Sequence, residues 1–147
     1  MVTFKRFEEM HAWQSAREFL RLVYEATKQL EFNRDFALRD QIRRAAISVM
    51  SNIAEGFGTG SDAEFVRFLG YTRRSVSETQ SQLYAAIDQE YISSEAFEGI
   101  YAKANITERQ INALIGYLAC SKPGRTIKEE TTPYSLDIPD DIDLSDL

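Results

Sequence analysis

Cysteine and histidine each occur once in this chain of 147 residues, and proline only three times. A single cysteine, Cys120, cannot close an internal disulfide, so nothing marks a secreted, cross-linked scaffold. A single histidine, His11, leaves at most one imidazole base for triad chemistry. No apolar run approaches the roughly 20 residues that a membrane-spanning helix needs. The first fifteen residues hold Lys5, Arg6, Glu8 and Glu9 and no apolar core, so no signal peptide is expected. Gly56, Gly58 and Gly60 cluster, but no Lys-Ser or Lys-Thr comes after them and no strand precedes, which excludes a P-loop. These absences predict a soluble, cytoplasmic protein that makes no membrane contact.

What is present is apolar content and unevenly placed charge. Hydrophobic residues make up 44% of the chain, enough for a core and too many for global disorder. The net charge is −6. Residues 1–74 carry 12 basic and 10 acidic side chains, whereas residues 75–147 carry 5 and 13. Residues 123–147 alone hold Arg125 and Lys128 against seven acids, a net of −5. Residues 1–122 are therefore close to neutral, which leaves room for a patterned basic face.

Four segments have helical periodicity. The first places Trp13, Ala16, Leu20, Val23, Thr27 and Leu30 on one stripe. Glu31 to Asp35 breaks it, with Asn33 or Asp35 as a cap for the next helix. The second stripe is Leu38, Ile42, Ala46, Val49 and Ile53, stopped by the glycines from Gly56 to Gly60. Ser61 and Glu64 form a capping-box pair that opens the third, with Phe65, Leu69, Thr72, Val76, Thr79, Leu83 and Ala86 on its stripe. After a break near Glu90 to Ser94, the fourth carries Phe97, Ile100, Ala104, Thr107, Ile111, Leu114 and Leu118, and Pro123-Gly124 stops it. Short connections favour antiparallel neighbours. The expected fold is all-α: an up-down-up-down antiparallel four-helix bundle over residues 1–122, then an acidic, flexible tail over 123–147.

Segment two has a further apolar face (Ile47, Met50, Ala54), and segment three adds Phe68 and Tyr71. Such faces either widen a monomer core or meet another subunit. In the tail, Leu136, Ile138, Ile142, Leu144 and Leu147 interleave with five aspartates, the pattern of a solvated segment or of one that orders on a partner.

Catalytic and metal chemistry find little support. Cys120, beside Leu118 and Ala119, reads as a buried or half-buried small residue with no activating base. Glu8 and His11 have the Glu-x-x-His spacing of bundle metal sites, but those need two such motifs facing inward, and here there is one, pointing outward. No cofactor, metal or enzymatic activity is expected.

Two polar constellations stand out instead. On the second segment Asp40, Arg44, Ser48, Ser51 and Glu55 recur at spacings of three and four and form one stripe, with Asn52 beside it. Asp40 and Arg44 have the favourable order for an i,i+4 ion pair. This stripe is either a ligand face or a structural seam between helices or subunits. On the third segment Arg67, Tyr71 and Arg74, joined by Arg73, interleave basic side chains with an aromatic one, as surfaces that track a phosphate backbone and stack a base do.

The blocks Asp40-Gln41-Ile42-Arg43-Arg44-Ala45-Ala46 and Ser51-Asn52-Ile53-Ala54-Glu55-Gly56 resemble the four-helix-bundle family of bacterial proteins first noticed in intervening sequences of 23S rRNA genes. Ser61 with Glu64-Phe65 and Arg67-Phe68-Leu69, and Phe7-Glu8-Glu9 with Trp13-Gln14, extend the resemblance over about residues 4–120. The family includes the accessory variability determinant of diversity-generating retroelements. The resemblance therefore implies a homopentamer, RNA or DNA as a partner, and association with a reverse transcriptase. It also implies that Arg43, Arg44, Asn52 and Glu55 are structural or interface residues. The function expected is a non-enzymatic oligomeric accessory protein on nucleic acid or a nucleic-acid enzyme. The alternative is a protein-protein interaction scaffold that uses its acidic tail. Arg74, before Ser75, stands where the family often has a small residue.

Overall fold

The computed structural model describes residues 4–120 and 144–147. Among them are five helices and no strand: α1 (His11–Thr27), α2 (Leu30–Arg34), α3 (Phe36–Gly58), α4 (Asp62–Asp88) and α5 (Ser94–Cys120), with 3-10 turns at Phe7–Glu9 and Leu144–Asp146. The four long helices pack as a helical bundle: α3 lies on α4, α4 on α5, α5 on α1 and α1 on α3. The Pro123-Gly124 stop and most of the acidic segment lie outside the described residues.

Periodicity and burial agree most closely on α4. All seven residues of its stripe, Phe65 through Ala86, are buried. On α3, Ile42, Ala46, Val49 and Ile53 are buried together with Ala45 and Gly56. On α5, Ile100, Ala104, Thr107, Ile111 and Leu114 are buried, while Phe97 and Leu118 pack at the margin. The α1 stripe differs from the one its spacing predicts. Its buried line is Ala12, Ala16, Phe19, Val23 and Thr27, and Leu30 is 64% exposed. Trp13 and Leu20 are only partly buried, because Trp13 packs beside Phe7, ring centroids 5.2 Å apart, at the bundle edge. Burial of large side chains such as Phe19, Phe32, Leu69 and Leu83 stabilises the fold by about 1.5–3 kcal/mol each.

The segment Glu31 to Asp35 does not simply break the chain. It forms the short helix α2 because Phe32 is fully buried, stacked on Tyr91 at 5.2 Å. Asp35, not Asn33, is the cap of α3: its side chain accepts the Leu38 N–H at 3.1 Å.

The glycine cluster also divides its roles. Gly56 is inside α3, not beyond its end. A Cβ there would lie 2.8 Å from Phe68 Cβ and 2.9 Å from Phe65 Cδ1, so α3 and α4 approach too closely for a side chain. The helix ends two residues later, where Thr59 Oγ1 donates to the Gly56 carbonyl at 2.8 Å. Gly60 then takes φ +68, and Ser61 Oγ accepts the Glu64 N–H at the start of α4. At the other end of α4, Glu90 has φ +60. Tyr91 N–H donates to Ala86 O at 3.0 Å and Glu90 N–H to Ile87 O at 2.9 Å, a Schellman closure with glutamate where glycine is usual.

Buried hydroxyls are satisfied locally. Thr72, Thr79 and Thr107 donate to the carbonyls of Phe68, Ser75 and Lys103 in their own helices. Other polar side chains link the helices. Arg43 Nε donates to Thr27 Oγ1 at 2.8 Å, Gln80 Nε2 to Asn105 Oδ1 at 2.8 Å, and Lys103 pairs with Glu18. The hydrogen bond from Lys103 holds the Glu18 carboxyl below the usual range.

Candidate functional site

The α4 stripe lies on the side of the helix opposite the core line, with Arg67 and Arg74 exposed and Tyr71 half-buried. Residues 67, 71 and 74 are four and three apart and share one side of the helix. Arg67 Nε donates to Tyr71 Oη at 2.8 Å. The guanidinium carbons of Arg67 and Arg74 lie 5.7 and 5.8 Å from the Tyr71 ring centroid, and Phe68 meets the same ring edge-on at 5.9 Å. Three neighbours thus set the orientation of Tyr71: Arg67 at its hydroxyl, Arg74 near its ring and Phe68 against its edge. Arg67 also pairs with Glu64 at 3.6 Å. Arg73 is not part of this face. Two positions from Tyr71, it projects about 200° round the helix and is half-buried.

The α3 stripe is less coherent than its spacing implies. Asp40 does not pair with Arg44; its Oδ1 accepts from Arg39 Nε at 2.9 Å, one residue away. Arg39 in turn packs on Phe36, 4.8 Å from its ring centroid, and donates to Asn33 O, which draws it to the start of α3. Arg44 and Glu55 are exposed, and Ser48, Ser51 and Asn52 are half-buried. Arg43 turns toward α1, 4.6 Å from the Tyr24 ring centroid as well as bonded to Thr27. It is a structural tie between helices.

The remaining candidates are dispersed. Glu8 accepts from Arg6 at 3.0 Å, a hydrogen bond that lowers its carboxyl below the usual range, and His11 is exposed. Cys120 is exposed, not buried, because it is the last residue of α5. Among the described residues no group of three or more His, Cys, Asp or Glu could hold a metal, and no helix is long and apolar enough to cross a membrane. An open groove of about 640 Å³ runs between α1 and α5, lined by Leu22, Ala26, Tyr91 and Ile92 with Glu25 and Glu95. It includes none of the stripe residues.

Two features escape a reading of spacing alone. Tyr84, 52% exposed, forms an aromatic cluster with Phe97 and Tyr101 at centroid distances of 5.0 and 5.9 Å. Hydrogen bonding to Tyr84 raises the Tyr101 phenol above its ordinary value. The signal was available in part, since Phe97 and Tyr101 are four apart. The second is the far end of the acidic segment. Leu147 is 6% exposed and joins the core cluster, its carbonyl accepts from His11 N–H at 3.1 Å, and Asp146 pairs with Arg109 at 3.1 Å.

Comparison with known proteins places this arrangement. A crystal structure at 1.70 Å of a protein of unknown function from the S23 ribosomal protein family of Bacteroides thetaiotaomicron VPI-5482 superposes with a TM-score of 0.65 and 26% identity. The match covers 71% of this chain and 97% of that one. No curated protein matches the chain. The family described as 23S rRNA-intervening sequence protein matches residues 8–113, from the turn before α1 well into α5. The matched span takes in α1 to α4 and most of α5, and the chain belongs to the 23S rRNA-intervening sequence protein family.

Proposed function

We propose that the protein is a non-enzymatic, homo-oligomeric accessory protein of the cytoplasm, an up-down-up-down bundle that binds RNA or DNA, or presents it to a nucleic-acid enzyme such as a reverse transcriptase. The observation that carries this reading is Tyr71 with Arg67 at its hydroxyl and Arg74 near its ring on the outward side of α4. An aromatic ring with guanidinium groups beside it offers a stacking surface for a base and charge for the adjoining phosphates. One such face is small. In a cyclic homopentamer the same patch recurs on every subunit, and multivalent contact raises avidity without new chemistry. The exposed charges of α3, Arg44 and Glu55, suit pairing across a subunit boundary.

The test is titration of the full chain with single-stranded and duplex RNA and DNA between about 50 and about 200 mM salt. Binding that weakens as salt rises supports the reading. Absence of salt-sensitive binding, both in this chain and in a variant with Asp140, Asp141 and Asp143 changed to asparagine, overturns it.

A further inference from the structure

The N-terminal end of α1 and the outer side of α5 together form a seat that is filled from outside the ring of four long helices. Three contacts define it. The α1 cap, Met10, makes no side-chain capping bond, and the first-turn N–H of His11 is taken by the Leu147 carbonyl at 3.1 Å. Arg109, 62% exposed, donates from Nε to Asp146 Oδ2 at 3.1 Å. The Leu147 side chain enters the core cluster and is almost fully covered. Each contact asks for a different chemical group: a main-chain carbonyl, a carboxylate and a branched apolar side chain.

We propose that this seat is a docking site for acidic peptides in which an aspartate directly precedes a leucine, and that residues 144–147 occupy it as the chain's own exchangeable ligand. The resident defines the chemistry. Aspartate meets a cation, leucine fills the apolar hollow, and the carbonyl takes an N–H that the helix leaves without an internal partner. The chain carries the same dipeptide twice in its last five residues, Asp143-Leu144 and Asp146-Leu147.

The segment follows α5 in the chain, with residues 121–143 between them. Belonging to the same chain raises the segment's effective concentration at its seat, and a free peptide with the same groups makes the same contacts. No residue of the α4 stripe takes part, so the inference stands independently of nucleic-acid binding.

The probe is a fluorescent, amidated peptide of residues 136–147, titrated into full-length chains and monitored by anisotropy, with circular dichroism to verify folding. The unaltered chain binds it weakly because its own segment competes. Leu147→Asp or Asp146→Arg in the chain vacates the seat, and binding tightens by at least about tenfold. Adding Arg109→Glu to a vacated chain removes that gain, and a peptide carrying Asp146→Arg restores it. Equal binding by vacated and unaltered chains overturns the proposal, as does failure of the charge-reversed peptide to rescue Arg109→Glu.

Discussion

Tyr91 and Asp35, 56 positions apart, meet through one carboxylate. Tyr91 Oη donates to Asp35 Oδ2 at 3.0 Å, while Oδ1 of the same group accepts the Leu38 N–H at 3.1 Å. The α4–α5 connection is thereby tied to the first turn of α3, and Phe32 of α2 stacks beneath the phenol. Removal of the carboxylate releases both ends. Asp35→Ala is expected to destabilise the chain by about 1 kcal/mol through the lost cap, with a further loss from the orphaned phenol. Tyr91→Phe destabilises the parent chain but changes little in the Asp35→Ala background. Urea denaturation of the two single variants and the double variant measures the coupling.

The same pair fixes the sign of a pH effect. Hydrogen bonding to Asp35 raises the Tyr91 phenol above its ordinary value of 10.0. A group whose proton is held more tightly in the folded state stabilises fully below the unfolded value and loses that contribution as pH rises through the folded one. The stability difference between the parent chain and Tyr91→Phe is therefore constant from neutrality to about pH 9 and shrinks above about pH 10. Denaturation midpoints across this alkaline window measure it.

Gly56 and Gly70 separate two effects of adding a methyl group. At Gly70 nothing lies within 4 Å of a new Cβ. Gly70→Ala inside α4 is expected to stabilise by about 0.5–1 kcal/mol through backbone entropy. At Gly56 the same gain is opposed by contacts of 2.8 and 2.9 Å with Phe68 and Phe65. Gly56→Ala is expected to destabilise by about 1–3 kcal/mol net of propensity, because the helix axes have to separate. Paired thermal melts give the two signs.

Glu90 carries a left-handed backbone that costs a non-glycine residue about 1–2 kcal/mol. Glycine relieves that cost but is more flexible when unfolded. Glu90→Gly is expected to stabilise by about 0.5–1 kcal/mol, seen as a raised melting temperature.

At the α4 face, charge and stacking make different predictions for nucleic acid. Arg74→Ala is expected to reduce the slope of log affinity against log salt by about 1. Tyr71→Ala is expected to leave that slope nearly unchanged and to weaken single-strand binding by about 1–3 kcal/mol, with a smaller effect on duplex. Fluorescence titrations at several salt concentrations distinguish the two.

The parts of the fold legible in the sequence are those governed by neighbours along one helix. The α4 stripe is regular enough that spacing identifies its seven buried residues, and Arg67, Tyr71 and Arg74 share a face for the same reason. On α1 the bulky Trp13 and Leu20 outweigh Phe19 in a periodic reading, yet Phe19 is the residue fully enclosed. The short helix α2 depends on Phe32 meeting Tyr91, and the seating of Leu147 depends on α1 and α5 lying side by side. Neither is encoded locally. Asp40 illustrates competition at short range: Arg39, anchored by Phe36 and Asn33, reaches it before Arg44 does.

The buried threonines bear on how this architecture tolerates change. Thr72, Thr79 and Thr107 bond only along their own helices, while Thr27, equally buried, also accepts from Arg43 of α3, and Gln80 and Asn105 join α4 to α5 nearer the surface. Three of these four threonines thus fill volume, and Thr27 also sets alignment. A substitution of like size at Thr72, Thr79 or Thr107 therefore leaves the alignment of the helices intact, whereas loss of Arg43 or Thr27 removes a specific tie between α1 and α3.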